Sequence, residues 1–317
     1  MKIRFLFPVI LLMTCLGAFA QKDTCRLGIY INSLYDFDLD DKSFMSDFWI
    51  WQTYRNDSLQ FENVVEVPNS KETEFSHFDL EKKGGLNWVT QKCKAKLMHA
   101  WDVNRFPFDT QVLQIQLEDS EYDTTQLVYV ADLKNSRIDS SFNSKEWCIE
   151  SFTVKEGIHS YETTYGDPEL SGSSSYPRVI AEIRIRRNNS WIMLSKMLTG
   201  AYVAFLISCL AFFVSSANQD SRFGLCVGGL FAAIGNKYIV ESAVSASTTN
   251  TLMDNVHNLT FSFILLIVGV IIVSLRLFES GDETRRKLSL KLDKWSFYGI
   301  IILFVAINVV LVCQAIS

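Results

Sequence analysis

The chain has 317 residues, a formal net charge of -5, 48% hydrophobic residues including 23 Phe, and a positive mean hydropathy. The acidic balance and the lack of a long basic run exclude a nucleic-acid partner. Met1 to about Arg187 reads as a water-soluble protein and the rest is dominated by apolar runs, so two domains of different solvent class are implied.

"MKIRFLFPVILLMTCLGAFA" has a basic start, an apolar centre and Ala18-Phe19-Ala20 at its end. It reads as a secretory signal over residues 1–20, cleaved after Ala20 and too short to span a membrane. Cys15 leaves with it, and Thr14 before that cysteine speaks against a lipoprotein signal.

Residues 21–190 then alternate at short spacing in "CRLGIYINSL", "FWIWQTY", "NVVEV", "LNWVTQKCKAKL", "QVLQIQL", "QLVYVADL", "WCIESFTV" and "RVIAEIRIRR". Turn signals such as "NDS", "KKGG" and "GDPELSGSSS" separate them, which predicts an extracellular immunoglobulin-like β-sandwich. "DFDLDDKSFMSD", from Asp36 to Asp47, has Asp41 where a calcium loop needs its turn glycine and Asp where it needs the final Glu. It is read as the loop joining the first two strands. Cys25, Cys93 and Cys148 leave one disulfide and one free thiol open in an oxidising compartment.

"RFPFDTQ", Arg105 to Gln111, interrupts this alternation. Two aromatics around Pro107 make a stiff apolar loop that is costly in water and must dock on something apolar.

Four apolar stretches of bilayer length follow in residues 191–317, at about 191–214, 223–244, 259–278 and 295–312. Between the third and fourth lie Arg285, Arg286, Lys287, Lys291 and Lys294, whereas "SASTTNTLMDNVHN" between the second and third has no Lys or Arg. The positive-inside rule then predicts a multi-pass protein of the cell membrane, inner or plasma, with its sandwich and C-terminus outside. The last strand runs straight into the first membrane helix. "FPFD" is therefore expected to rest on the membrane half, against the connection between the second and third helices.

On the second stretch, taken as a helix, Asp220, Gly224, Phe231, Gly235, Tyr238 and Ser242 fall within roughly 60° of one another, with Gly228 beside them. Spacing alone leaves two readings open, a small-residue packing seam through Gly224 and Gly228 or the lining of a pore. Asp220 and Glu241 stand about 31 Å apart along it, one near each membrane face. Arg222 and Lys237 lie on other faces, Lys237 close to Glu241. "GLCVG" around Cys226 imitates a nucleophile elbow but sits in an apolar span with no strand before it. His77, His99, His159 and His257 have no metal-ligand spacing. No catalytic residue, metal or cofactor is expected.

"RFPFDTQVLQIQL", "WCIESFTV", "RFGLCVGGLF" and "LDKWSFYG" together, in this order, resemble the pentameric ligand-gated ion channels, the Cys-loop receptor superfamily. His99 and Leu113 stand where animal receptors carry the loop cysteines, so the resemblance is to the prokaryotic type without that disulfide. Glu66-Val67-Pro68 replaces the usual Trp-x-Pro, and the first helix lacks its usual proline.

The resemblance implies a homopentamer in a lipid bilayer that passes small ions when a small molecule or protons act outside. It makes Asp220, Gly224, Gly228, Phe231, Gly235, Tyr238, Glu241 and Ser242 pore-lining, with carboxylate rings favouring cations and Phe231, the bulkiest apolar group of the stripe, as the gate. It assigns coupling to Asp38 or Asp40, Pro107, Phe108, Asp109 and Arg187, the carboxylates pairing with Arg187. It places the ligand among Trp49 on one side of a subunit interface and Tyr122, Tyr161 and Tyr165 on the other, whose ring faces suit a cation. Glu66, Glu121 and His159 are candidates for proton sensing. An anion-selective channel of the same fold is one alternative, and a non-conducting membrane sensor on a four-helix anchor is another.

Overall fold

The computed structural model describes residues 22–62, 64–142, 144–166, 172–243 and 250–316. The expected leader with Cys15, part of the "GDPELSGSSS" turn and the first part of the connection after the second apolar stretch lie outside them.

Among the described residues the first half holds ten strands: β1 (Asp23–Asp38), β2 (Ser43–Tyr54), β3 (Val65–Glu66), β4 (Ser70–Lys83), β5 (Leu86–Met98), β6 (Thr110–Asp119), β7 (Leu127–Ala131), β8 (Arg137–Ile138), β9 (Trp147–Tyr161) and β10 (Ser174–Arg187). One sheet runs β4-β5-β2-β1-β7 with β8 also on β1, and the other runs β3-β6-β10-β9. Pairing is antiparallel except where β7 and β8 join β1 in parallel. The sequence alternation sets the faces. In β2, Phe44, Phe48, Ile50 and Tyr54 point into the core while Trp49 and Trp51 stay half-exposed. Facing side chains from both sheets close one core, among them Leu27, Leu97, Ile115, Ile183 and Trp147. Gly84 and Gly85, both at positive φ, make the tight β4–β5 hairpin. The described cysteines are free thiols; burial pushes the Cys93 thiol up to about 12.

β10 passes through Asn188 and Asn189 directly into α1 (Ser190–Cys209), which tightens into a 3-10 turn over Leu210–Phe213. Then come α2 (Gln219–Ala243), α3 (Leu252–Glu279) and α4 (Glu283–Ile316). All four are long and apolar enough to cross a membrane.

Every helix starts before its apolar run, α3 and α4 by the most. α3 is nucleated by a capping box, Thr251 Oγ1 accepting from the Asp254 N–H while Asp254 accepts from the Thr251 N–H. Residues 252–258, expected in the connection, are thus its first turns, with Leu252, Met253 and Val256 buried. α4 starts at Glu283, so the basic segment is mostly helix, joined to α3 through Ser280–Asp282. Its basic side chains stay outside while Ser289 and Asp293 turn inward.

Candidate functional site

The junction between the halves is built on the Phe-Pro-Phe-Asp loop, whose Phe106–Pro107 peptide is cis. Phe106 is buried in a cluster with Val103, Leu194 and Leu198 of α1, Val240 of α2 and Leu252, Met253 and Val256 of α3. Phe108 meets Trp191 of α1 edge-on at 5.1 Å. The loop therefore docks on the helix ends that flank the α2–α3 connection, which explains two aromatics at an otherwise exposed tip.

Asp109, 1% exposed, is held by three hydrogen bonds from two side chains. Arg187 donates from Nε to Oδ1 at 2.8 Å and from Nη2 to Oδ2 at 3.2 Å. Gln111 donates from Nε2 to Oδ2 at 3.0 Å. The Arg187 guanidinium also lies over the Trp147 ring at 4.2 Å and the Phe106 ring at 4.9 Å. Carboxylate and ring faces together compensate a cation buried at the end of β10. Gln111 continues the network to His99, whose Nε2 lies 3.3 Å from Gln111 Oε1. Burial lowers the His99 pKa.

The two upstream acids stand elsewhere. Asp38 accepts from the Asp41 N–H at 2.8 Å through its carboxylate and from Trp101 Nε1 at 2.8 Å through its carbonyl, and Asp40 is exposed in the following turn. Asp41, in the same turn, is tied down by two lysines. It forms ion pairs with Lys71 at 2.7 Å and Lys96 at 2.6 Å, and their hydrogen bonds hold its carboxyl well below the usual range.

The ligand candidates divide between the sheets. Trp49 of β2 meets His77 of β4 edge-on at 5.2 Å. Tyr161 of β9 gathers His159, Tyr165 and Tyr176 at ring distances of 4.5, 5.7 and 6.0 Å. Tyr122 turns toward the upper core, accepting from the Gln60 N–H at 3.1 Å and touching Phe61.

Beside the tyrosines lies a pair that the sequence did not announce. Glu118 accepts from Tyr161 Oη at 2.5 Å and from Arg178 Nε at 2.7 Å, and Arg178 Nη1 donates to Gln116 Oε1. Burial and Glu118 push the Tyr161 phenol up to about 12. Arg178 and Glu118 sit opposite each other in the β6–β10 register, 60 positions apart. Only the strand pairing could have revealed them.

On α2, Asp220, Gly224, Gly228, Phe231, Gly235, Tyr238 and Ser242 are all exposed, Phe231 and Tyr238 at 69% each. A Cβ built on Gly224, Gly228 or Gly235 would meet nothing within 4 Å among the described residues. Arg222, Cys226, Gly229, Ala233 and Val240 are covered. At the outer end Lys237 pairs with Glu241 at 3.4 Å.

Residues 66–189 match the family model described as the neurotransmitter-gated ion-channel ligand binding domain. The chain is also 24% identical over 242 residues, 69% of its length, to a protein described as a proton-gated ion channel from Gloeobacter violaceus (strain ATCC 29082 / PCC 7421). The match spans 64% of that relative. Residues 66–189 are thus similar to a neurotransmitter-gated ligand-binding domain, and four helices of membrane-spanning length follow them.

Proposed function

We propose that five copies of this chain surround an axis as a homopentameric channel, opened by a small molecule or by protons acting on the outer sandwich, with cations as the permeant ions. The observation that carries the proposal is the α2 face from Asp220 to Ser242. It is lined by glycines, aromatics and polar ends and stays open while the opposite face of the helix is packed. A lipid-facing stripe has no use for Asp220 or for three bare glycines. A water-filled axis has a use for both.

Phe231 forms the narrowest apolar ring in this arrangement, and Gly224, Gly228 and Gly235 leave the lumen wide around it. The pair Arg187–Asp109 and the Phe106–Phe108 loop transmit motion from the sandwich to the helices, and the tyrosine cluster faces Trp49 of a neighbouring copy. The Gloeobacter relative's description supports protons as one agonist. Selectivity rests on Asp220, because Lys237 offsets Glu241 at the other end.

Purified protein in a planar bilayer tests this. Acidification or an agonist screen should evoke unitary currents whose reversal under a salt gradient follows the cation, and Asp220→Asn should weaken that preference. A bilayer that stays silent would favour the non-conducting sensor, and reversal toward the anion would overturn the selectivity.

A further inference from the structure

We infer that the packed side of α2 carries three locks, Arg222, Gly229 and Asn236, which fix the helix's rotation and so decide which face meets the axis. The inference rests on the reading of α2 as the pore helix. The locks are spaced by seven residues, which on an α-helix drifts only about 20° per step and keeps all three on one side. Each precedes a residue of the open face by two positions: Gly224, Phe231 and Tyr238 follow in turn. Two positions are about 200° around the helix, so every lock stands behind one residue of the open face.

The three differ in chemistry and grip different elements. Arg222, 1% exposed, donates from Nε to the Ala211 carbonyl at 3.0 Å and from Nη1 to Ser216 Oγ at 3.0 Å, both in the α1–α2 connection. Its Nη2 lies 2.9 Å from Asp293 Oδ1 of α4, an ion pair by distance but out of line for a hydrogen bond. Ser216 donates to Asp293 Oδ2 at 3.3 Å, and Ser289 of α4 lies 2.8 Å from Ser274 of α3. A buried guanidinium cannot leave this setting without stranding a buried carboxylate.

Gly229 works by having no side chain. A Cβ there would stand 2.2 Å from Ser208 Oγ and 2.7 Å from the Ala204 carbonyl, so α2 and α1 approach more closely than any other residue permits. Asn236 occupies the notch left by Gly200 of α1, where a Cβ would meet its amide at 2.8 Å. Its Oδ1 accepts the Ala201 N–H at 3.0 Å and lies 3.0 Å from Nε2 of His257 in α3. Turning α2 about its own axis would break a polar contact at both ends and drive a side chain into α1 at Gly229. These are positioning residues: none lies on the open face, and each sets what does.

Cysteines introduced singly at Phe231, Ala232, Tyr238 and Ile239 of the full chain, reconstituted and treated with a charged, membrane-impermeant thiol reagent, test this through irreversible block of current. With the locks intact, Phe231→Cys and Tyr238→Cys should be blocked and Ala232→Cys and Ile239→Cys should not. Adding Arg222→Leu or Gly229→Ala should slow block at Phe231→Cys and create it at Ala232→Cys, whereas Arg222→Lys should keep the original pattern. Where a lock variant fails to assemble, Asn236→Leu carries the same measurement. Conducting lock variants that keep the original pattern would overturn the inference. Inert cysteines at Phe231 and Tyr238 in a conducting channel with intact locks would instead overturn the reading of α2 as the pore helix.

Discussion

Asp109 and Arg187 are 78 positions apart in the chain, and the fold brings them within 2.8 Å at the point where the sandwich ends and α1 begins. A buried bidentate pair is stiff, so a shift of β10 must either carry the loop with it or break strong hydrogen bonds. Arg187→Ala should therefore weaken opening while leaving assembly intact. A coupling change of ~1.4 kcal/mol corresponds to about a tenfold shift in the agonist midpoint, measurable by concentration–response recording. His99 hangs on the same network through Gln111. Its folded pKa is depressed by burial, so it favours folding while neutral. That contribution is present above its unfolded pKa of ~6.5 and is lost as pH falls from there toward the lower folded value. Thermal unfolding at about pH 7.5 and about pH 5 should show a larger loss for the parent than for His99→Gln. The resemblance offered Asp109 beside Asp38 or Asp40 as a partner for Arg187, and of these acids Asp109 is the one that the structure pairs with it. Trp147, which covers the same guanidinium, was not legible, since an aromatic at the start of a strand carries no mark of what it will face.

At the scale of elements, apolar runs located the four helices but put their starts too late, most of all for α3 and α4. A run reports where lipid-like surface begins, whereas α3 begins at the Thr251–Asp254 cap and α4 continues along charged turns outside it. The open stripe of α2 was readable by periodicity. Its opposite side was harder, because Gly229 differs from Gly228 only in phase, and phase matters only once α1 is in place. That difference separates a glycine that packs from one that leaves room. Among the proposed lining residues Phe231 is the bulkiest apolar side chain, set between Gly228 and Gly235. Five such rings would close the path by dewetting. Phe231→Ser should then leak at rest or respond to weaker stimulation, read by single-channel recording. Tight resting closure with unchanged agonist sensitivity would place the gate elsewhere, with Tyr238 next in line.

For the whole molecule, the two halves are joined by one covalent crossing, Asn188–Asn189, and by an apolar joint centred on Phe106. Removing that ring leaves a void within this buried cluster. Phe106→Ala should cost about 3–5 kcal/mol at the joint, seen as a lower unfolding temperature of the detergent-purified protein and a poorer response to agonist. Two solvent classes in one chain were apparent from composition alone. The aromatic loop also announced a joint, because nothing else excuses such a tip. Which helix ends it would meet depended on the return of α3, and no local pattern encodes that.

The ion pair between Lys237 and Glu241 has an electrical consequence. In the proposed pentamer one end of the path is close to neutral, while the other carries a ring of Asp220 carboxylates that no ion pair among the described residues offsets. Permeant cations would be enriched at that mouth and not at the other, so entry from the two sides would be unequal at equal salt. The open channel should rectify, passing more current when cations enter past Asp220. Lys237→Gln, by unmasking the second ring, should straighten the current–voltage curve.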